Sequence, residues 1–149
     1  MRKAFTVTVI TTLFISTGSI AATISCGGAT GELAFEKSAR TKNEVESVIS
    51  LRRDGRATVL RYDGGIDFIG MACQQTKSGK PMLVFQAYCG GSSCRDMDNY
   101  GIIDPADLRV LLVPDDSNRR LARKILGSEP ARLPHIESIQ QVGEKLFPR

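Results

Sequence analysis

The sequence predicts an α+β domain: an antiparallel β-meander of four to five strands with C-terminal helices packed on one face, held by two disulfides. Three observations predict it. Residues 44–89 alternate apolar and polar side chains and are punctuated by Asp54-Gly55, Gly64-Gly65 and Ser78-Gly79, the turn chemistry of hairpins. After Pro114 the apolar residues recur instead at helical spacing. Four cysteines follow a leader that directs the chain out of the cytosol, where thiols oxidise.

That leader is residues 1–22. Met1-Arg2-Lys3 supplies the charged start, residues 4–15 the apolar run, and Ser19-Ile20-Ala21-Ala22 the small residues of a signal-peptide cleavage site. The run is too short to span a bilayer, which takes roughly 20 apolar residues. A cut after Ala21 or after Ala22 meets the small-residue requirement equally. A lipoprotein reading of Thr23-Ile24-Ser25-Cys26 is disfavoured, because Thr23 stands where an aliphatic is wanted and acylating Cys26 would strand an odd number of cysteines. Residues 23–149 are then one exported domain, periplasmic or secreted, long enough for its own core.

The elements follow in order. Asp54-Gly55 favours a two-residue turn in which both central residues take positive φ, so Arg53 pairs with Arg56, Leu51 with Thr58, Ile49 with Leu60 and Ser47 with Tyr62. One face of this hairpin collects Val45, Ile49, Leu51, Leu60 and Tyr62; the other takes Ser50, Arg52 and Arg61. A second hairpin joins residues 66–73 to 82–89 through Lys77-Ser78-Gly79-Lys80, with Lys77 opposite Lys80. Met82-Leu83-Val84-Phe85 is apolar on both faces, which puts it near the sheet centre. Residues 108–113 add a fifth strand, ended by Pro114. A helix follows, capped by Asp115-Asp116-Ser117, with Leu121, Ala122, Ile125 and Leu126 on its inner stripe and Gly127 as a left-handed stop. Ile136, Ile139, Val142, Leu146 and Phe147 mark a second amphipathic helix.

Four cysteines allow three pairings. In the predicted second hairpin Cys73 faces Val84 and Cys89 faces Phe68, about 17 Å apart along the strands, whereas a disulfide needs Cα atoms within about 7 Å. Of the two pairings that remain, the one expected joins Cys89 to Cys94 across Gly90-Gly91-Ser92-Ser93, a compact loop that two glycines make easy to fold, and leaves Cys26 to tie the N-terminal arm to Cys73. Oxidised cysteines leave neither zinc ligands nor a redox pair. Catalytic residues, metals and cofactors are not expected: His135, the single histidine, sits at a helix entrance, and the carboxylates are too dispersed to nominate an acid and base.

Charge is uneven. Residues 23–116 carry 11 basic and 13 acidic side chains, residues 117–149 carry 7 and 3. Arg119, Arg120, Arg123 and Lys124 form a basic helix face, a docking surface for an acidic protein partner. Aromatics are not interleaved with these charges as nucleic-acid stacking requires, and no nucleic acid or stable membrane insertion is expected once the leader is removed.

Two local resemblances remain. Asp96-Met97-Asp98-Asn99-Tyr100-Gly101-Ile102-Ile103-Asp104-Pro105-Ala106-Asp107 resembles the calcium loop of the EF-hand family, which implies a calcium-binding module; Tyr100 departs at a ligand position and Asp107 replaces the longer Glu. A solvated Asp/Asn/Gly turn accounts for the same residues. The strand leading through Val84 into Cys89-Gly90-Gly91-Ser92-Ser93-Cys94 resembles that of bacterial periplasmic lysozyme inhibitors, whose disulfide-clamped loop enters an enzyme's cleft. The resemblance implies an inhibitor or immunity-type protein that meets an envelope-acting enzyme through Gly90, Gly91, Ser92 and Ser93. The alternative is an accessory component of an envelope complex that docks through the basic helix.

Overall fold

The computed structural model describes residues 19–91, 99–115 and 117–148. Asp54 and Gly55 take φ values of 50° and 74°, as the two-residue turn requires. The first hairpin keeps its predicted register, Arg53 opposite Arg56 through Ser47 opposite Tyr62. Its strands belong to a four-stranded antiparallel sheet of β1 (Ser19–Cys26), β2 (Ala29–Lys37), β3 (Val45–Arg53) and β4 (Arg56–Asp63), in that order.

A second, five-stranded sheet contains β5 (Phe68–Gln75), β6 (Pro81–Tyr88), β7 (Tyr100–Asp104), β8 (Arg109–Leu112) and the two-residue β9 (Glu137–Ser138), in the order β8-β7-β6-β5-β9. The expected single meander is thus two sheets. A sheet buries its apolar face against another layer, and stacking the two encloses Leu33, Phe35, Ile49 and Leu51 of the first against Ile69, Met71, Leu83, Phe85 and Ile103 of the second. Each of these side chains gains about 1.5–3 kcal/mol from leaving water.

β6 is the middle strand, and both of its faces are covered as its apolar run requires. Leu83 and Phe85 face the other sheet, while Met82 and Val84 meet α1 (Arg119–Leu126) through Ala122 and Leu126. Gly101 of β7 lies opposite Phe85, and a Cβ there would stand 2.0 Å from the ring. The glycine admits the aromatic between the sheets.

The second hairpin is shifted by one residue from expectation: Cys73 faces Leu83 and Phe68 faces Tyr88. Three residues, Lys77, Ser78 and Gly79, form the loop instead of two. The Thr76 N–H donates to the Lys80 carbonyl at 2.8 Å, and the Lys80 N–H donates to Thr76 Oγ1 at 3.0 Å. Gly79 supplies the positive φ, 85°.

The helices lie on different sides, not on one face. α1 covers the outer face of the second sheet, whereas α2 (Ile139–Leu146) sets Ile139, Val142 and Leu146 against the core between the sheets. Gly127 is left-handed, φ 70°, and its N–H returns to the Arg123 carbonyl, as the sequence suggested. The N-cap of α1 is Asn118 rather than a residue of Asp115-Asp116-Ser117, no acidic residue stands in the first turn, and Asp116 lies outside the described residues. Leu121 leaves the inner stripe and is 50% exposed.

One end of the sandwich is stitched. Cys26 and Cys73 form a disulfide with Cα atoms 5.3 Å apart, joining β1 to β5 and so one sheet to the other. At the same end Arg53 Nη1 donates to the carbonyls of Gly27 (3.0 Å) and Pro105 (3.3 Å), the Thr58 hydroxyl donates to the Leu108 carbonyl, and Lys80 pairs with the buried Asp104. The expected Cys89–Cys94 pairing falls on Cys94, outside the described residues.

Two further segments carry consequences. β1 begins at Ser19, inside the segment read as a leader, and its register slips between Ile20 and Ala22, which places a bulge at the expected cleavage points. Five of the residues resembling a calcium loop belong to a strand. Tyr100–Asp104 is a strand paired on both sides, and the Asp104 carboxylate is committed to Lys80. Asp96, Met97 and Asp98 lie outside the described residues.

Candidate functional site at the open end of the sandwich

The opposite end is built on Asp67, the residue before β5. Its N–H donates to the Tyr88 carbonyl at 2.9 Å, its carbonyl accepts from the Ile139 N–H at 2.9 Å, and its carboxylate accepts from the Gly90 N–H at 2.7 Å. Three connections thus converge on one short side chain and its backbone. The rings of the cross-strand pair Phe68 and Tyr88 stack at 5.3 Å. Gly90 lies directly on Phe68, where a Cβ would stand 2.3 Å from Cε2. Only glycine fits.

The predicted partner-binding loop therefore divides. The Gly90 N–H is taken by Asp67 and is not offered to a partner, contrary to expectation. Gly91 is exposed, and Ser92, Ser93 and Cys94 lie outside the described residues.

Beside this loop base is a cleft of about 270 Å³, lined among others by Tyr62, Ile66, Tyr88, Asn99, Pro114 and Asp115. Its walls are set by Asn118. That buried amide accepts from the Tyr100 N–H (2.7 Å) and donates to the carbonyls of Tyr100 (2.7 Å) and Val113 (2.9 Å). The neighbours of those residues, Asn99 and Pro114, are thereby held on two sides of the cleft. Asn118 precedes α1, and its side chain is spent on this clamp rather than on capping the helix.

Asn99 is 7% exposed, and its Oδ1 has no hydrogen-bond partner. Buried polar atoms are almost always paired. Burial also pushes the Tyr62 hydroxyl up to about 12, so it remains a neutral donor across the physiological range. A larger cleft, about 480 Å³, separates the Ser78 turn from the end of α1 and is lined by Lys77, Lys80 and Lys124. Neither buried polar atom left without a partner, Ser47 Oγ or Asn99 Oδ1, lines it, and Lys80 already holds Asp104.

The basic helix face is compensated in part within the chain. Arg119 Nε and Arg123 Nη1 each donate to Glu129 at 3.1 Å, and these two guanidiniums hold the Glu129 carboxyl below the usual range. The four charges expected to act together, Arg119, Arg120, Arg123 and Lys124, thus include two already engaged within the chain.

His135 is exposed, and its carbonyl oxygen closes over Gly70, where a Cβ would stand 2.3 Å away. Among the described residues no group of three or more His, Cys, Asp or Glu is placed to hold a metal ion. No described helix is long and apolar enough to cross a membrane. Sequence reasoning did not nominate Tyr62, Asn99 or Asn118. No spacing marks them, since a Tyr and two Asn are brought together only by the stacking of the sheets. Compared with protein-family models, curated proteins and solved structures, the chain matches none.

Proposed function

We propose that the chain is an exported periplasmic binding protein, an inhibitor or immunity-type protein that blocks an enzyme acting on the cell envelope. The contact surface is the end of the sandwich that carries the loop from Cys89. The observation that carries the reading is the bracing of Gly90 between the Asp67 carboxylate and the Phe68 ring. A loop fixed at its base loses little freedom on docking, so more of its contact energy goes into affinity. Gly91, exposed beyond this anchor, is the first residue in reach of a partner.

The test is inhibition of cell-wall hydrolysis. The purified oxidised domain, titrated into an envelope extract that digests isolated cell wall, is expected to stop one hydrolase stoichiometrically. Gly91→Trp is expected to abolish that effect while leaving the melting temperature within about 2 °C of the parent, as for an exposed substitution. Full hydrolysis in a large molar excess of folded protein would overturn the reading.

A further inference from the structure

We propose that β4 is a self-association edge: it pairs antiparallel with β4 of a second copy about a two-fold axis at Val59, joining two four-stranded sheets into one. The inference stands on the first sheet and is independent of the loop after Cys89. A bare strand edge is a template for another strand, and folded proteins blunt it with bulges, short strands, charges or covering segments. β1 carries a bulge between Ile20 and Ala22, and β8 and β9 are only four and two residues long. The segment leading into β9 runs alongside β5: the His135 carbonyl closes over Gly70, and the Gln74 side chain donates to the Glu129 carbonyl and accepts from the Ala131 N–H. β4 has none of these devices. It is eight residues long, pairs with β3 without a bulge, and among the described residues pairs with no other strand.

The Asp54-Gly55 turn decides which backbone groups of β4 are free. Arg53 and Arg56 close it as a hydrogen-bonded pair, and bonded pairs alternate with unbonded ones along an antiparallel ladder. Arg56, Thr58, Leu60 and Tyr62 therefore bond to β3, whereas Ala57, Val59 and Arg61 turn their N–H and C=O outward. Among the described residues no turn or loop bond reaches these three. Arg61 is the charge that would guard this edge. Its Nη1 instead donates to Glu36 of β2 and Glu46 of β3, at 3.2 Å each, which draws the guanidinium back over the sheet. Val59 stands in the middle of the edge, uncharged and 44% exposed.

Symmetry selects the register. A residue on the axis faces its own copy, so an arginine there would set like charges face to face. With Val59 on the axis, Ala57 faces the copy's Arg61 and Arg61 faces the copy's Ala57, so the three outward residues pair only among themselves. Val59 meets Val59, a β-branched cross-strand contact that sheets favour, and no arginine faces another.

Sedimentation velocity of the oxidised protein between about 10 µM and about 1 mM, at about 0.15 M salt, reads the association. An edge pair this small is expected to dissociate with a Kd on the order of 0.1 mM. The monomer fraction then falls from about 85% to about 20% over that range. Hydrogen exchange at the Ala57, Val59 and Arg61 amides is expected to slow about fourfold in step, while Thr58 and Leu60, bonded to β3, stay protected at both concentrations. Val59→Lys puts two ammonium groups on the axis and is expected to weaken association at least about tenfold, with the melting temperature within about 2 °C of the parent because the position is exposed. A parent protein that stays monomeric at about 1 mM overturns the proposal, and protection of the same amides by an added extended peptide would then make the edge a site for a foreign strand. A dimer whose formation leaves the three amides unslowed overturns it as well. Neither result needs the variant, so both decide even if Val59→Lys fails to fold.

Discussion

Replacing Cys26 and Cys73 together with alanine tests how the two sheets are held in register. The disulfide joins residues 47 positions apart. Closing a loop of that length in the unfolded chain removes about 14 cal/mol/K of entropy, or about 4 kcal/mol at 25 °C. Unfolding a domain of this size releases roughly 0.3 kcal/mol/K, so the melting temperature is expected to fall by about 15 °C. Alanine is the right replacement because Cys26 is 1% exposed, and a serine hydroxyl there would add a cost of its own. The m-value for urea is expected to rise, since the uncrosslinked chain exposes more surface when unfolded. Urea and thermal melts of the double variant measure both. A loss below about 1 kcal/mol with an unchanged m-value would refute the reasoning. The native contacts of Arg53 with Gly27 and Pro105 would then hold this end without help from the covalent bond.

Gly101→Ala forces a Cβ to within 2.0 Å of the Phe85 ring and is expected to cost about 1–3 kcal/mol or more in a urea melt. Combining it with Phe85→Leu is expected to cost less than the two changes summed. Burial alone would raise the Asp104 carboxyl, but Lys80 and the Ala106 N–H outweigh it and hold it below the usual range. Its ionised form therefore stabilises the fold above about pH 4, and that contribution is lost as pH falls through the folded value. Asp104→Asn is expected to destabilise at pH 7 and to approach the parent at pH 3; a gap independent of pH would contradict the pairing. Tyr62 behaves oppositely, with a folded pKa of about 12 against an ordinary value near 10. Stability present below pH 10 is lost between about pH 10 and 12, and Tyr62→Phe is expected to flatten that alkaline limb in melts across the range.

How far the fold was legible depended on whether a local rule fixed the geometry. Asp54-Gly55 forces positive φ at two adjacent residues, so every pair in that hairpin followed. Lys77-Ser78-Gly79 demands it only at Gly79, and the two-residue reading slipped the partner strand by one. The Cys26–Cys73 pairing did not depend on the slip: Cys73–Cys89 is many ångströms too long in either register, and the choice between the two remaining pairings rested on the short loop after Cys89. β2 alternates Leu33 and Phe35 with Glu32, Ala34 and Glu36, a period-2 signal that was present but not used. β1 straddles the end of the leader, and β7 falls inside the acidic motif, where Ile102 and Ile103, both fully buried, are its strand signal. Asn99 was legible only as part of that motif, because an unpaired oxygen is a property of three-dimensional surroundings and leaves no pattern in a chain.

The sandwich is bound like a book. Its spine runs through Cys26 and Cys73, and its fore-edge lies five residues further along β5, at Phe68 and the cleft, roughly 17 Å away. A fluctuation that parts the two sheets meets a covalent hinge at the spine, while the described ties around Phe68 are the hydrogen bonds of Asp67 and the stacked rings of Phe68 and Tyr88. The Cys26–Cys73 tie between the leaves thus lies at the end of β5 away from Phe68 and Tyr88.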